Sequence, residues 1–395
     1  MRIVQIEDFF HPETGYQINI LSKIWSSLGH EVYILTSSEK HVPKYLKDFL
    51  DFEDLHLKDQ EYSEKYGVKI KRFNPITNIS NRMIFKNDIL KYALNLKPDI
   101  LYIHGNDTYI GIKVALKLSK LNVPVIMDSH MIEVASKNRF NKLFQLSYAK
   151  FITPKLLKKK IIIIKTANTN YINLKYNYPY ELSPLIGFGS DISLFRFNEE
   201  NRNHMRAKFK ISDQTRVFIY AGKLEKSKGI GILVDAIKEK FKCQYEPVFL
   251  IIGNPNYDYN FITKIDSINN NYIHLKTQKY NDLPKYFHMA DIMIFPAQNS
   301  LTFYDAQAAQ LPCILSSDPI NLERVNHGNG TVYEKDNSFD LRHKIIHYLN
   351  LSKKEIQLQR ENSFKYVSEN YNYETLATNY LSYVLKTIKH FNYKG

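Results

Sequence analysis

Short runs of β-branched and aliphatic residues alternate with longer segments of helical period along almost the whole chain. Arg2–Gln5 predicts a strand, and Gln17–Leu28 a helix, because Ile18, Leu21, Ile24, Trp25 and Leu28 recur on one face. Glu31–Thr36, Val68–Phe73, Ile100–Ile103 and Val125–Asp128 predict further strands. Helices are expected near Met83–Leu94 and Thr108–Leu118, and Ile161–Lys165 closes this set. The strands read as nearly continuous apolar runs, the pattern of parallel strands buried on both faces. The alternation then restarts. Arg216–Tyr220, Val248–Ile252, Tyr272–Leu275, Ile292–Phe295, Cys313–Ser316 and Gly330–Tyr333 predict strands, with helices at Gly231–Glu239, Leu283–His288 and Thr302–Ala309. Lys353–Glu369 and Glu374–Phe391 are helices with no strand between them. Two successive α/β halves are expected, joined near Ile186–Asn198.

Length and composition agree with this. The chain has 395 residues, 44% hydrophobic and 24% charged, which excludes wholesale disorder. Two cysteines exclude a disulfide scaffold and a Cys-rich zinc site. The start, MRIVQIEDFF, does not read as a signal peptide, and no apolar stretch is long enough to span a membrane.

Charge adds something that periodicity does not. The formal net charge is +14, and Val134–Tyr180 holds no acidic residue. That segment carries Lys137, Arg139, Lys142, Lys150, Lys155, Lys158, Lys159, Lys160, Lys165 and Lys175. Phe140, Leu143, Phe144 and Phe151 share one helical face within it, with basic residues interleaved. Two readings stay open: a core-packed helix with a solvated lysine face, or a basic amphipathic helix for an anionic membrane surface. Nucleic acid is not expected as a partner, since no helix-turn-helix, zinc-finger or RNP-like pattern accompanies the charge.

Doubly wound sheets bind ligands at the C-terminal ends of their strands, so the loops after strands are the ones to read. The first is Glu7-Asp8-Phe9-Phe10-His11-Pro12-Glu13-Thr14-Gly15-Tyr16. Gly15 there permits close approach at a helix start, or the loop is a plain connection; GxGxxG is absent. After Arg216–Tyr220 comes Ala221-Gly222-Lys223-Leu224-Glu225-Lys226-Ser227-Lys228-Gly229. A glycine with two lysines at a sheet mouth suits a diphosphate, or the loop is a solvated charge run; no Walker loop is present. After Ile292–Phe295 comes Pro296–Pro312, where Asp305 either accepts from ribose hydroxyls or serves the helix start. His104 and His130 each end a predicted strand, as structural hydrogen-bonders or as chemical groups. No Asp-x-Asp occurs, which argues against a clamped divalent ion.

Several segments match one family in order. They are His11–Tyr16, Gly29-His30-Glu31-Val32, Pro124–His130, Gly187–Asp191 with Phe195, Gly222–Gly229, Asp282–Pro296 and Asp305–Pro312. Together they resemble the retaining glycosyltransferases of family 4. The chain departs from the family pattern at four places. Lys223 replaces an Arg and keeps charge but not the bidentate fork. Ala297 stands where the first acid of a Glu-x7-Glu pair is usual. Asp305 replaces the second acid, and Gln310 replaces a Gly. Gly328-Asn329-Gly330 with Tyr333 resembles a branch of the family that carries Asp-Ala at this place.

The resemblance implies an α/β protein of the GT-B fold, two Rossmann-like doubly wound domains facing across a cleft. Residues 1–190 would bind the acceptor, 191–372 the nucleotide-sugar, and 373–395 would return to the first domain. It implies transfer of a sugar from a nucleotide-sugar donor to a hydroxyl of a glycan or lipid-linked acceptor, in cell-surface polysaccharide or glycoconjugate biosynthesis. Lys223, Lys228 and His130 would be catalytic. Gly15, Gly222, Asn299, Ser300, Leu301, Thr302 and Asp305 would bind the donor, and Tyr16 and His104 would lie on the acceptor side. No cofactor or metal is expected. The implied location is cytoplasmic, peripheral on the membrane through 134–180. Ala297 motivates the alternative of a non-catalytic binding or partner subunit on the same scaffold.

Overall fold

The computed structural model describes residues 1–47, 50–131, 140–254, 268–297 and 300–392. The chain forms two compact units: Met1–Phe188 together with Glu374–Gly395, and Gly189–Tyr373. The first is built on a six-stranded sheet in the order β3-β2-β1-β6-β7-β8. Its strands are β1 (Arg2–Ile6), β2 (Glu31–Ser37), β3 (Lys69–Phe73), β6 (Ile100–Ile103), β7 (Val125–Ser129) and β8 (Ile162–Lys165), all paired in parallel. The second unit repeats the plan in the order β11-β10-β9-β12-β13-β14. Here β9 is Thr215–Ala221, β10 Glu246–Ile252, β11 Asn271–Leu275, β12 Ile292–Phe295, β13 Cys313–Ser316 and β14 Gly330–Tyr333, again all parallel. Each order places the first strand of its unit centrally, with the order reversing beside it, which is the switch point where such sheets hold ligands.

One expected helix is corrected. Met83 does not start a helix; it lies in β5 (Arg82–Ile84), which pairs antiparallel with β4 (Thr77–Ile79). Ser80 and Asn81 both take positive φ, the geometry of a two-residue type I′ hairpin. The helix begins only at Asp88 and runs to Asn95. Helices at Leu55–Tyr66 and Glu199–Lys208 were not signalled by apolar period, because their faces are mostly polar, and Ser338–Asn350 was passed over although Leu341, Ile345, Tyr348 and Leu349 share one face. The latter two are fixed by caps: Asn198 accepts from Asn201 N, and Asn337 from Phe339 N and Asp340 N.

The basic segment forms one helical run: Asn141–Ser147, a π turn at Tyr148–Ile152, then Thr153–Lys158. Its core contacts are Tyr148, Ile152 and Leu156, with Tyr148 stacked on Tyr176. Phe140, Leu143, Leu146 and Phe151 are 67, 64, 69 and 57% exposed. Of the face read from the sequence, Phe140, Leu143 and Phe151 are therefore not core-packed, whereas Phe144 lies against Tyr148 and Tyr176. The run carries two apolar stripes, and the other one faces the protein.

The last helix, Tyr373–Asn392, packs in the first unit through Ala377, Tyr380 and Val384. The indole of fully buried Trp25 donates to Ala377 O at 3.2 Å, and Tyr380 OH donates to Ile186 O at 2.9 Å. Trp25→Phe should therefore cost about 1–3 kcal/mol, one buried hydrogen bond and some packing, and Trp25→Ala about 3–5 kcal/mol. Urea denaturation followed by circular dichroism measures both; equal stability of wild type and Trp25→Ala would refute this docking.

Candidate active site

In the first unit, polar side chains gather at the C-terminal ends of β1, β6 and β7. Asp128, in β7, is wholly buried. Its Oδ2 lies 2.8 Å from His104 Nδ1, and its Oδ1 accepts from Gly105 N at 2.7 Å and lies 3.2 Å from His130 Nε2. Gly105 has φ +86°, and a Cβ there would come within 2.6 Å of Thr108 Cγ2, so the backbone donor depends on glycine. Burial would raise the Asp128 pKa, but His130 and His104 outweigh it and hold the carboxyl far below its usual range. His130 is shifted up: its surroundings disfavour the imidazolium, and the Asp128 and Glu7 carboxylates more than compensate. Its side chain is 41% exposed.

The two histidines thus differ. His104 is buried, stacked on Tyr102, and its second nitrogen lies 2.9 Å from Gln5 Oε1. Both of its ring nitrogens are engaged, so it reaches the surface only through Asp128 and His130. Tyr16 is exposed at the start of helix Gln17–Ser27, beside half-buried Gly15.

Sequence reading passed over two carboxyls here. Asp8 is buried, accepts from Met83 N at 3.1 Å, and is raised to about 7 by burial and by Glu7. The β4–β5 hairpin brings Met83 N to Asp8, which moderates that rise, and sets Arg82 on Asp107 at 3.1 Å. Their adjacency after a strand was the only available signal. Four buried side-chain groups at this end of the sheet have atoms without a hydrogen-bond partner among the described residues: the Gln17 amide, Thr36 Oγ1, Asn106 Oδ1 and Ser129 Oγ. Such groups normally meet water or a ligand.

His104, Asp128 and His130 also present ligand atoms within 4.8 Å of one another. Those atoms are already joined by the two Asp128 contacts, so a cation would have to replace both.

In the second unit, the loop after β9 folds back when Tyr220 OH donates to Lys223 O at 2.7 Å. A single 3₁₀ turn, Lys226–Lys228, leads to Gly229 with φ +70°. A Cβ on Gly229 would fall 2.8 Å from Ala297 Cβ and 2.9 Å from Pro296 C. Close approach through Gly229 therefore sets the lysine loop against the loop after β12. Lys223 and Lys228 are half-buried. Lys228 is shifted down, chiefly by burial, with Glu225 opposing and Lys223 adding to the shift.

Ala297 thus occupies the seam between the two loops. Asn299 lies outside the described residues. Ser300 and Thr302 are half-buried, Leu301 is exposed, and Gly222 is half-buried. Helix Thr302–Ala308 is pinned by Gln307, whose buried amide pairs with Asn329. Tyr333 OH donates to Pro296 O. The Gly328–Tyr333 segment therefore braces both helix Thr302–Ala308 and the loop after β12.

Asp305 is placed differently from a free ribose acceptor. Its Oδ1 accepts from Ser190 Oγ at 2.7 Å and from Tyr280 OH at 3.1 Å. Burial raises it to about 7, and these two bonds only moderate the rise. Ser190 in turn is clasped by backbone: Ser190 N donates to Tyr371 O and Tyr373 N to Ser190 O. Asp305 thereby holds together the segments by which the chain enters and leaves the second unit.

Comparison with known proteins bears on these loops. Residues 201–364 match the family described as Glycosyl transferases group 1. The chain is 24% identical over 337 residues to the alpha-monoglucosyldiacylglycerol synthase of Acholeplasma laidlawii, covering 81% of this chain and 80% of that one. Among solved structures, a glycosyltransferase from Rickettsia africae aligns with a TM-score of 0.73 at 14% identity, over 98% of both chains. Anabaena HepE in complex with UDP and glucose aligns with a TM-score of 0.70 at 15% identity, over 98% of this chain and 100% of that one. The two units therefore have the GT-B fold, and family 4 is consistent with all of these matches.

Two predictions come from the buried carboxyls. Asp128→Asn should lower the His130 titration midpoint, read by NMR, because its surroundings then act without the main compensating charge. An unchanged midpoint would show that Asp128 does not control His130. For Asp305, the folded chain keeps a proton that the unfolded chain releases between roughly pH 4 and 7. Its contribution to stability therefore falls as pH rises through that window and is level above it. Asp305→Asn should flatten this slope in urea denaturation at pH 5 and 8, leaving the part due to Asp8; an undiminished slope would refute the assignment.

Proposed function

We propose that this chain, a glycosyltransferase of the GT-B fold, is a retaining enzyme that moves a sugar from a uridine diphosphate donor to a hydroxyl of a lipid-linked acceptor. It would work without a metal ion, peripherally on the cytoplasmic face of a membrane, in the synthesis of a glycolipid or other cell-surface glycoconjugate. The observation that carries the acceptor class is the exposed apolar stripe of Phe140, Leu143 and Phe151 with Lys142, Lys150 and Lys155 on the same helical run. Contiguous exposed apolar residues rimmed by one sign of charge fit the interface of an anionic bilayer. The Acholeplasma relative is named for making a glycolipid, and the Anabaena structure holds UDP and glucose; both support this choice.

In this reading Lys223 and Lys228 offset charge on the departing diphosphate as the glycosidic C–O bond breaks, an interaction that strengthens toward the transition state. Lys228 is the better placed to respond. Burial and Lys223 depress its proton affinity, and an incoming diphosphate would restore it. In the second unit Gly222, Ser300, Leu301 and Thr302 would line the donor, and Asp305 would act on the ribose while keeping its bond to Ser190. In the first unit His130, whose proton affinity Asp128 raises, would be the catalytic group, with Tyr16 on the acceptor side and His104 behind Asp128.

Leu143→Asn with Leu146→Asn should reduce co-sedimentation with anionic liposomes about ten-fold or more, because each leucine removed from the bilayer interface forfeits roughly 1.5–3 kcal/mol. UDP should raise the melting temperature of this variant as it does that of wild type, and Lys228→Ala should lose the UDP shift. Equal sedimentation with neutral and anionic liposomes would overturn the membrane reading. UDP stabilisation without turnover of any sugar donor would favour the non-catalytic scaffold that Ala297 suggests.

A further inference from the structure

A cavity of about 900 Å³ lies in the first unit, away from Asp128 and His130. The first residues of β7 and β8, Val125 and Ile162, line it, so it opens at the opposite ends of these strands. Its walls are the turn 118–124, the connection 158–161 and the end of helix Tyr373–Asn392, with Leu182 between them in sequence. Its floor is apolar, with Leu118, Val123 and Ile161 buried and Leu121 half-buried. Its rim is basic. Lys120 comes from the first wall, Lys158, Lys159 and Lys160 from the second, and Lys386 and Lys389 from the third; among the described residues no Asp or Glu lines the cavity.

A solvated charge run would draw its lysines from one stretch of chain. Here the fold brings them from three, around one apolar floor, and folding gains nothing from placing like charges together. An anion would relieve that repulsion. An inorganic anion would leave the floor unused, because a cavity of this volume accommodates a ligand of drug size or larger. The features together fit an amphiphile, with an anionic head at the lysines and hydrocarbon along Leu118, Leu121 and Val123.

We propose that this cavity binds one molecule of an anionic phospholipid, at a site separate from the candidate active site and from the exposed stripe at Phe140–Phe151. The occupant would bridge the last helix to the turn after helix Tyr109–Lys117 and so tie three segments of the first unit together. The site does not depend on the membrane reading above, since it takes a single lipid rather than a bilayer surface.

The test uses the full chain and dihexanoyl phosphatidylglycerol below its micelle concentration, with dihexanoyl phosphatidylcholine and inorganic phosphate as comparisons. Isothermal titration should show saturable binding near one equivalent for the glycerol lipid. The other two should bind at least about ten-fold more weakly, as expected when several lysines act on one anionic head. Lys120→Gln with Lys386→Gln and Lys389→Gln, all exposed and outside 134–180, should weaken that binding about ten-fold or more. Leu143→Asn with Leu146→Asn should leave it unchanged. Absence of saturable binding would overturn the proposal. So would binding of phosphate alone with equal affinity, or an equal loss in the Leu143/Leu146 variant.

Discussion

A strand in a wholly parallel sheet must return through a crossover, and the crossovers bury both of its faces. Both units of this chain obey that constraint, with six parallel strands each. Polar chemistry is thereby expelled from the sheet faces and confined to the strand ends. Asp128 and His104 follow it in the first unit, and the Gly222–Gly229 and Pro296–Leu301 loops follow it in the second. In the first unit the opposite ends of β7 and β8, at Val125 and Ile162, border the lysine-rimmed cavity. One architectural rule therefore separates the candidate reaction site from that cavity within the same unit.

Four buried carboxyls show how environment sets chemistry. Asp128 has two histidines and stays ionised. Asp291 has Arg202 at 2.6 Å and Arg206 nearby, and these outweigh burial to keep it low. Asp8 and Asp305 have hydrogen-bond donors but no adjacent cation strong enough to offset desolvation, and both rise to about 7. The first two are fixed charges over the physiological range. The last two change state within it, one beside the β4–β5 hairpin and the other at the segments joining the units. A shorter acid at 305 also suits this second duty, since its carboxylate stays close to Ser190 and Tyr280.

The positive charge of the chain is likewise partitioned by structure. Lys142, Lys150 and Lys155 flank an exposed apolar stripe, whereas Lys158–Lys160 turn toward a cavity shared with Lys120 and Lys389. Lys223 and Lys228 belong to the second unit and lie by a glycine-bounded loop. These are three different electrostatic settings, and net charge alone does not distinguish them.

The sequence by itself determined the parts of this protein that depend on near neighbours. Central parallel strands are buried on both faces and read as apolar runs, so β6, β12 and β13 were legible to the residue. The glycine-lysine loop and the strand-ending histidines were legible because strand and loop are contiguous. Periodicity failed where local signals were ambiguous: Met83 begins an apolar run that suits a helix, but Ser80-Asn81 turns it into a hairpin. It also could not say which of two apolar stripes on the 141–158 run meets the core. Tertiary structure alone decided that, because burial depends on what packs opposite, here Tyr176 against Tyr148. It alone joined His104 to Asp128, Asp305 to Ser190, and Lys120 to Lys389. Each pair lies far apart in sequence, and no period along one segment encodes a partner on another.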